Sequence, residues 1–101
     1  TLAEEETVKW KGLTEYTQRI VKAVTVPELL TMTSRTQFDL VSIDCEGLDF
    51  WILQQMELDK MGTSMVIVEW NGANERAYID YCAQFGMKLI GKNAENLILA
   101  R

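Results

Sequence analysis

Two apolar, β-branched runs in this chain end in acids. Phe38-Asp39-Leu40-Val41-Ser42-Ile43 leads into Asp44-Cys45-Glu46-Gly47, and Val66-Ile67-Val68 leads into Glu69-Trp70-Asn71-Gly72. In a parallel α/β sheet, a buried strand delivers its functional side chains to the rim at its carboxyl end, where the chain turns into the next helix. Asp44 and Glu69 are therefore the candidate catalytic residues, and Glu46, Trp70 and Asn71 the candidate substrate-binding residues. A strand-end carboxylate flanked by Ile43 and Cys45 is expected to be poorly solvated, a setting that tunes its pKa and suits a base or a ligand. Glu46 has a second reading as a cap for the helix that follows, whose free N–H groups and dipole favour an anion.

Asp44, Glu69 and Asn71 also form an all-oxygen set of the kind that holds a hard cation such as Mg²⁺. They are far apart in the chain, so a metal-free polar rim that binds or deprotonates a substrate hydroxyl is the preferred reading, and no metal ligand is assigned. The chain has no histidine. Histidine acid–base chemistry, His–Cys nucleophiles and His-ligated zinc are therefore excluded. No G-x-G-x-x-G turn follows any candidate strand. Trp10, Trp51 and Trp70 read first as packing residues, with Trp70 nearest the acids, and Met56, Met61, Met65 and Met87 as core filler.

The elements that must position these residues follow from periodicity and punctuation. Thr1–Trp10, with Glu4 to Glu6 behind a Thr1 cap, suits a helical lead-in closed at Gly12. The β-branched stretch from about Arg19 to Val26 is expected to be a strand, because Pro27 pushes Val26 out of the α region and starts a short helix to about Met32. Phe38–Asp44 reads as a strand buried on both faces. Gly47–Leu58 reads as a helix with Leu48, Trp51, Ile52, Gln55 and Met56 on one face. Ser64–Trp70 is the next buried strand. Ala73–Phe85 is a helix with Ala77, Tyr78, Tyr81, Cys82 and Phe85 inward and Gly86 as its cap. Met87–Gly91 and Asn96–Ala100 are strands joined by Lys92-Asn93-Ala94-Glu95, residues tolerant of positive φ, so they must run antiparallel.

The 101 residues are expected to form one domain or part of one: a lead-in over 1–18, then sheet and helices over 19–101. The formal net charge of −5 argues against a sequence-independent nucleic-acid surface. No apolar run approaches the length of a membrane span, and no signal peptide opens the chain. Cys45 and Cys82 share no metal or redox spacing and read as reduced thiols of a cytoplasmic protein.

Ile43-Asp44-Cys45-Glu46-Gly47, the Leu-rich helix after it, Val68-Glu69 and the closing Asn96-Leu97-Ile98-Leu99 resemble the carboxyl-terminal half of an FkbM-type methyltransferase. The strand and Thr25-Val26-Pro27-Glu28-Leu29-Leu30 turn before the acidic motif agree in order. That resemblance implies an α/β fold: a partial class I (Rossmann-like) sheet, mostly parallel with a terminal antiparallel hairpin. It implies S-adenosylmethionine as cofactor, and transfer of a methyl group to a hydroxyl of a sugar or other small hydroxylated metabolite, with Asp44 orienting or deprotonating the hydroxyl and Glu69 assisting. In the family's fold the cofactor lies against the turns after the first two strands, so the cofactor-binding residues are expected upstream of Thr1. A chain that opens on Thr1 rather than Met fits an excised piece, inactive by itself.

Two other classes compete. A freestanding, non-catalytic assembly module would self-associate through an exposed Phe38–Asp44 strand edge. A metal-dependent nuclease also places acids at adjacent strand ends, but Asn71 stands where such a site would want a lysine, two residues after Glu69. The sequence upstream of Thr1 discriminates: a strand with a glycine-rich turn points to the enzyme, and a start codon to the module.

Overall fold

β1 (Leu40–Ile43) and β2 (Met65–Glu69) lie side by side and parallel, with Ile43 opposite Val68. They belong to a computed structural model that describes residues 18–101. The expected lead-in over Thr1–Trp10, with Trp10, lies outside the described residues. β3 (Lys88–Lys92) and β4 (Asn96–Ala100) complete a four-stranded sheet of order β1-β2-β4-β3 among the described residues. β4 is inserted antiparallel between β2 and β3. Three strands thus share one direction, yet only the β1–β2 pairing is parallel, which corrects the expected mostly parallel sheet. The terminal antiparallel hairpin is present as expected.

The strand expected over Arg19–Val26 does not form. Residues 18–25 have no regular structure, and Val26 already opens helix α1 (Val26–Thr33). Ile20 and Val21 are exposed. β-branched residues favour strands when a pleated surface packs against them, and among the described residues no strand neighbours this stretch. The local signals favour a helix instead. Thr25 Oγ1 accepts from the Glu28 N–H at 3.2 Å, Pro27 sits in the first turn, and the otherwise orphaned Val26 N–H donates to Gln55 Oε1 at 2.9 Å.

The helix expected over Gly47–Leu58 shortens to α2 (Asp49–Leu53). Glu46 and Gly47 both have positive φ, so the chain turns before the helix can start. Trp51, expected on the inward face, is exposed, whereas Leu53 and Leu58 are fully buried. The turns after α2 then bind the two parallel strands at their entrances. Thr63, itself fully buried, donates its hydroxyl to the Phe38 carbonyl at 2.7 Å, and Phe38 N–H donates to the Met61 carbonyl at 2.9 Å.

α3 (Glu75–Ala83) packs on β3 and β4, and α2 on β1. Gly86, at φ 77°, terminates α3 as expected, with Met87 N–H returning to the Cys82 carbonyl. The β3–β4 turn uses no positive φ: Asn93 Oδ1 instead accepts from the amides of Glu95 and Asn96, at 2.8 and 2.7 Å. The core joins Val41, Ile43, Val66, Val68, Leu97 and Leu99 from the sheet to Leu53, Tyr78 and Cys82 from the helices. β1 alternates rather than being buried on both faces. Leu40 and Ser42 are exposed, because among the described residues the helices cover the face that carries Val41 and Ile43. Among the described residues, no helix is long and apolar enough to cross a membrane.

Candidate active site at the sheet rim

Asp44 immediately follows β1 and Glu69 closes β2. Continuing the Ile43–Val68 register by one residue sets Asp44 against Glu69. The rim therefore gathers the three acids that the sequence singled out, Asp44, Glu46 and Glu69. One carboxylate oxygen each from Asp44, Glu46 and Glu69 lies within 4.8 Å of the others. That spacing could bracket a hard cation. Exposed acids often gather without one, and among the described residues no further acid, cysteine or histidine joins the group.

The expectation that Asp44 is poorly solvated is not met: its side chain is exposed, because burial stops at Ile43. The electrostatic consequence of the cluster falls on Glu69 instead. Its carboxyl is raised above its ordinary value of 4.5, first by its hydrogen bond with the Asp44 carboxyl, while the Asn71 amide works in the opposite direction. Asn71 Nδ2 donates to Glu69 Oε1. Asn71 and Gly72 both adopt positive φ, so the chain folds back sharply enough for the amide to reach the carboxylate two residues before it.

Glu46 is not the cap of the following helix. Leu48 occupies that position without a side-chain hydrogen bond, and Glu46 stands in a left-handed conformation at φ 48°. Its carboxylate joins the acid cluster instead. Trp70 reaches the same end of the sheet, but its indole N–H donates to the Asn93 carbonyl at 2.9 Å. Lys92 Nζ lies 5.5 Å from the ring centre and also pairs with Glu75 at 3.0 Å. The indole is thus tied to the β3–β4 turn.

Sequence reasoning missed Asp49. This carboxylate is 4% exposed, and it accepts from the backbone amides of Cys45 at 3.2 Å and Gly47 at 3.4 Å. The available signal was an aspartate two residues after a glycine, a spacing at which its side chain can close a turn onto the preceding backbone. Tyr78 was expected only as core. It is buried against Phe50 with ring centres 5.3 Å apart. Burial, followed by the charges of Asp49 and Glu69, pushes its hydroxyl up to about 12. Burial first, then the Asp49 charge, also raises the Cys45 thiol. A raised thiol pKa lowers the thiolate fraction, so Cys45 is a poor nucleophile.

Chemically, the arrangement is a small anionic rim in which one carboxyl, Glu69, has its pKa raised and an amide donor stands beside it. It can accept a proton from, or orient, a hydroxyl brought against it. Compared with known proteins, residues 3–88 match the family model of the methyltransferase FkbM domain. No curated protein and no solved structure matches the chain significantly.

Proposed function

We propose that this chain, which belongs to the FkbM methyltransferase family, carries the acceptor side of an S-adenosylmethionine-dependent O-methyltransferase acting on a sugar or other small hydroxylated metabolite. The observation that carries this reading is the meeting of Asp44 and Glu69 at the carboxyl end of the one parallel strand pair, with Glu46 beside them. The sheet is compatible with the end of a class I fold, whose last strand is antiparallel.

The family uses S-adenosylmethionine, which would supply the methyl group. The described residues offer no cradle for it, since neither β1 nor β2 is followed by a glycine-rich turn. We accordingly assign cofactor binding to residues outside the described set, and expect this chain alone to be inactive. Its own residues act on the acceptor. Glu46, Trp70 and Asn71 border the place where the acceptor sits, and the exposed Asp44 carboxylate accepts the hydroxyl proton. Glu69, which binds a proton more tightly, donates a hydrogen bond when protonated and so helps fix the acceptor oxygen. Holding that oxygen in a reactive geometry is the main resource for such a transfer.

The test is single-turnover methylation by the intact protein that carries this domain, beside thermal melting. Asp44→Asn should slow transfer by about 10²-fold or more, the scale of one positioned acid–base group, with cofactor binding and melting little changed. Transfer at the parental rate would make Asp44 structural and end this reading.

One observation favours a second reading, the non-catalytic assembly module: β1 is a terminal strand of the described sheet, and a terminal strand can pair with a second copy.

A further inference from the structure

Ile43 is fixed by its pairing with Val68, and α2 begins at Asp49, so the intervening residues must turn sharply while keeping Asp44 and Glu46 at the rim. They do so through two consecutive left-handed residues, Glu46 at φ 48° and Gly47 at φ 112°. Glycine takes such a conformation freely, but a glutamate does so only where its surroundings over-determine it.

Asp49 supplies that determination. An acid in a first helical turn ordinarily serves the free N–H groups of its own helix. Here both carboxylate oxygens turn back onto the loop: Oδ2 accepts from Cys45 N–H at 3.2 Å and Oδ1 from Gly47 N–H at 3.4 Å. The two amides flank Glu46, so one buried carboxylate grips the backbone on either side of it. Both bonds are long, but burial removes the water that would compete for them.

We propose that Asp49 is a positioning residue for methyl transfer: its buried carboxylate bridges the Cys45 and Gly47 amides and thereby sets where Asp44 and Glu46 stand against Glu69. The catalytic half of this inference rests on the reading of Asp44 given above, and the structural half does not. Asp49 touches no substrate in this role. It acts through the loop, and a displacement of about 1 Å at such a site is enough to cost 10²-fold in rate.

The experiment uses Asp49→Ala and Asp49→Asn in the intact protein, with amide hydrogen exchange, steady-state kinetics and melting measured together. In Asp49→Ala, exchange at Cys45 and Gly47 should rise by about tenfold or more while the Val66 and Leu97 amides keep their protection, the pattern of local rather than global opening. kcat should fall by about 10²-fold, with the KM for S-adenosylmethionine within about twofold of the parent. Asp49→Asn keeps one acceptor oxygen and should recover part of both effects; it carries the test if the alanine variant does not fold. Unchanged exchange at both amides would overturn the clamp. Faster exchange with parental kcat, where Asp44→Asn is inactive, would overturn the positioning role. Parental transfer by Asp44→Asn would instead overturn the proposed function, and the exchange measurement would still report on the clamp.

Discussion

Asp44 and Glu69 meet because each follows a residue of the same register pair: Ile43 opposite Val68. Their carboxyl groups share a hydrogen bond that raises Glu69, and Asn71 partly offsets it from the other side. The rim thus holds two acids in contact at the end of one parallel pair, with the pKa of Glu69 raised by that contact.

The pH dependence of stability follows from this pair. Glu69 has a folded pKa above its ordinary 4.5, so its contribution is fully present below that value and is lost as pH rises through the folded pKa. Asp44→Asn removes the charge that opposes ionisation of Glu69. The melting temperature of the variant relative to the parent should therefore climb as pH rises above the ordinary 4.5, and the change should shrink in roughly 1 M salt, where the Debye length is short. A difference independent of both pH and salt would show that the two acids do not interact.

Thr63 should matter more than its neighbour Ser64. The buried Thr63 hydroxyl donates to the Phe38 carbonyl at 2.7 Å, whereas the exposed Ser64 hydroxyl makes a 3.2 Å bond to Asp39. Thr63→Val leaves the Phe38 carbonyl without that donor and should cost about 1–3 kcal/mol. Ser64→Ala should stay within about 0.5 kcal/mol of the parent. Urea melts of the two variants check the contrast.

Leu97 and Leu40 test which face of the sheet is the core. Leu97 on β4 is fully buried, and Leu97→Ala should destabilise by about 2–5 kcal/mol. Leu40 on β1 is 51% exposed, so Leu40→Lys should change stability by less than about 0.5 kcal/mol. Sedimentation of the Leu40 variant also tests the assembly-module reading. If the parent self-associates through β1, the lysine on that edge should weaken it.

Calorimetry places the cofactor. Titrating this chain with S-adenosylmethionine to about millimolar concentration should give little heat, the signature of an affinity weaker than about 1 mM. Micromolar affinity would mean that the binding residues lie within these 101 residues rather than upstream.

Much of the frame was legible because it rests on local pattern. Short apolar runs bounded by glycine and acids marked β1 and β2, and the closeness of β3 and β4 required a hairpin. Acids placed at strand ends were bound to reach the rim, so Asp44, Glu69 and Asn71 could be named from order alone. The same reasoning failed for Ile20, Val21 and Val24, because strand propensity reports packing against a neighbour that the described fold does not provide.

What the tertiary structure alone decided is how those residues are held and how wet they are. Burial of Asp44 could not be read from its apolar neighbours, because exposure at a strand end depends on where the covering helices stop. Glu46 left its expected capping role when the chain turned left-handed before α2. The insertion of β4 between β2 and β3 is a pairing between residues distant in sequence. Asp49 was not singled out by its sequence position, and only the fold sets its oxygens on the Cys45 and Gly47 amides. Periodicity encodes which face of an element is apolar. It does not encode which backbone groups lack a partner once the elements pack, and satisfying those groups is what set this loop.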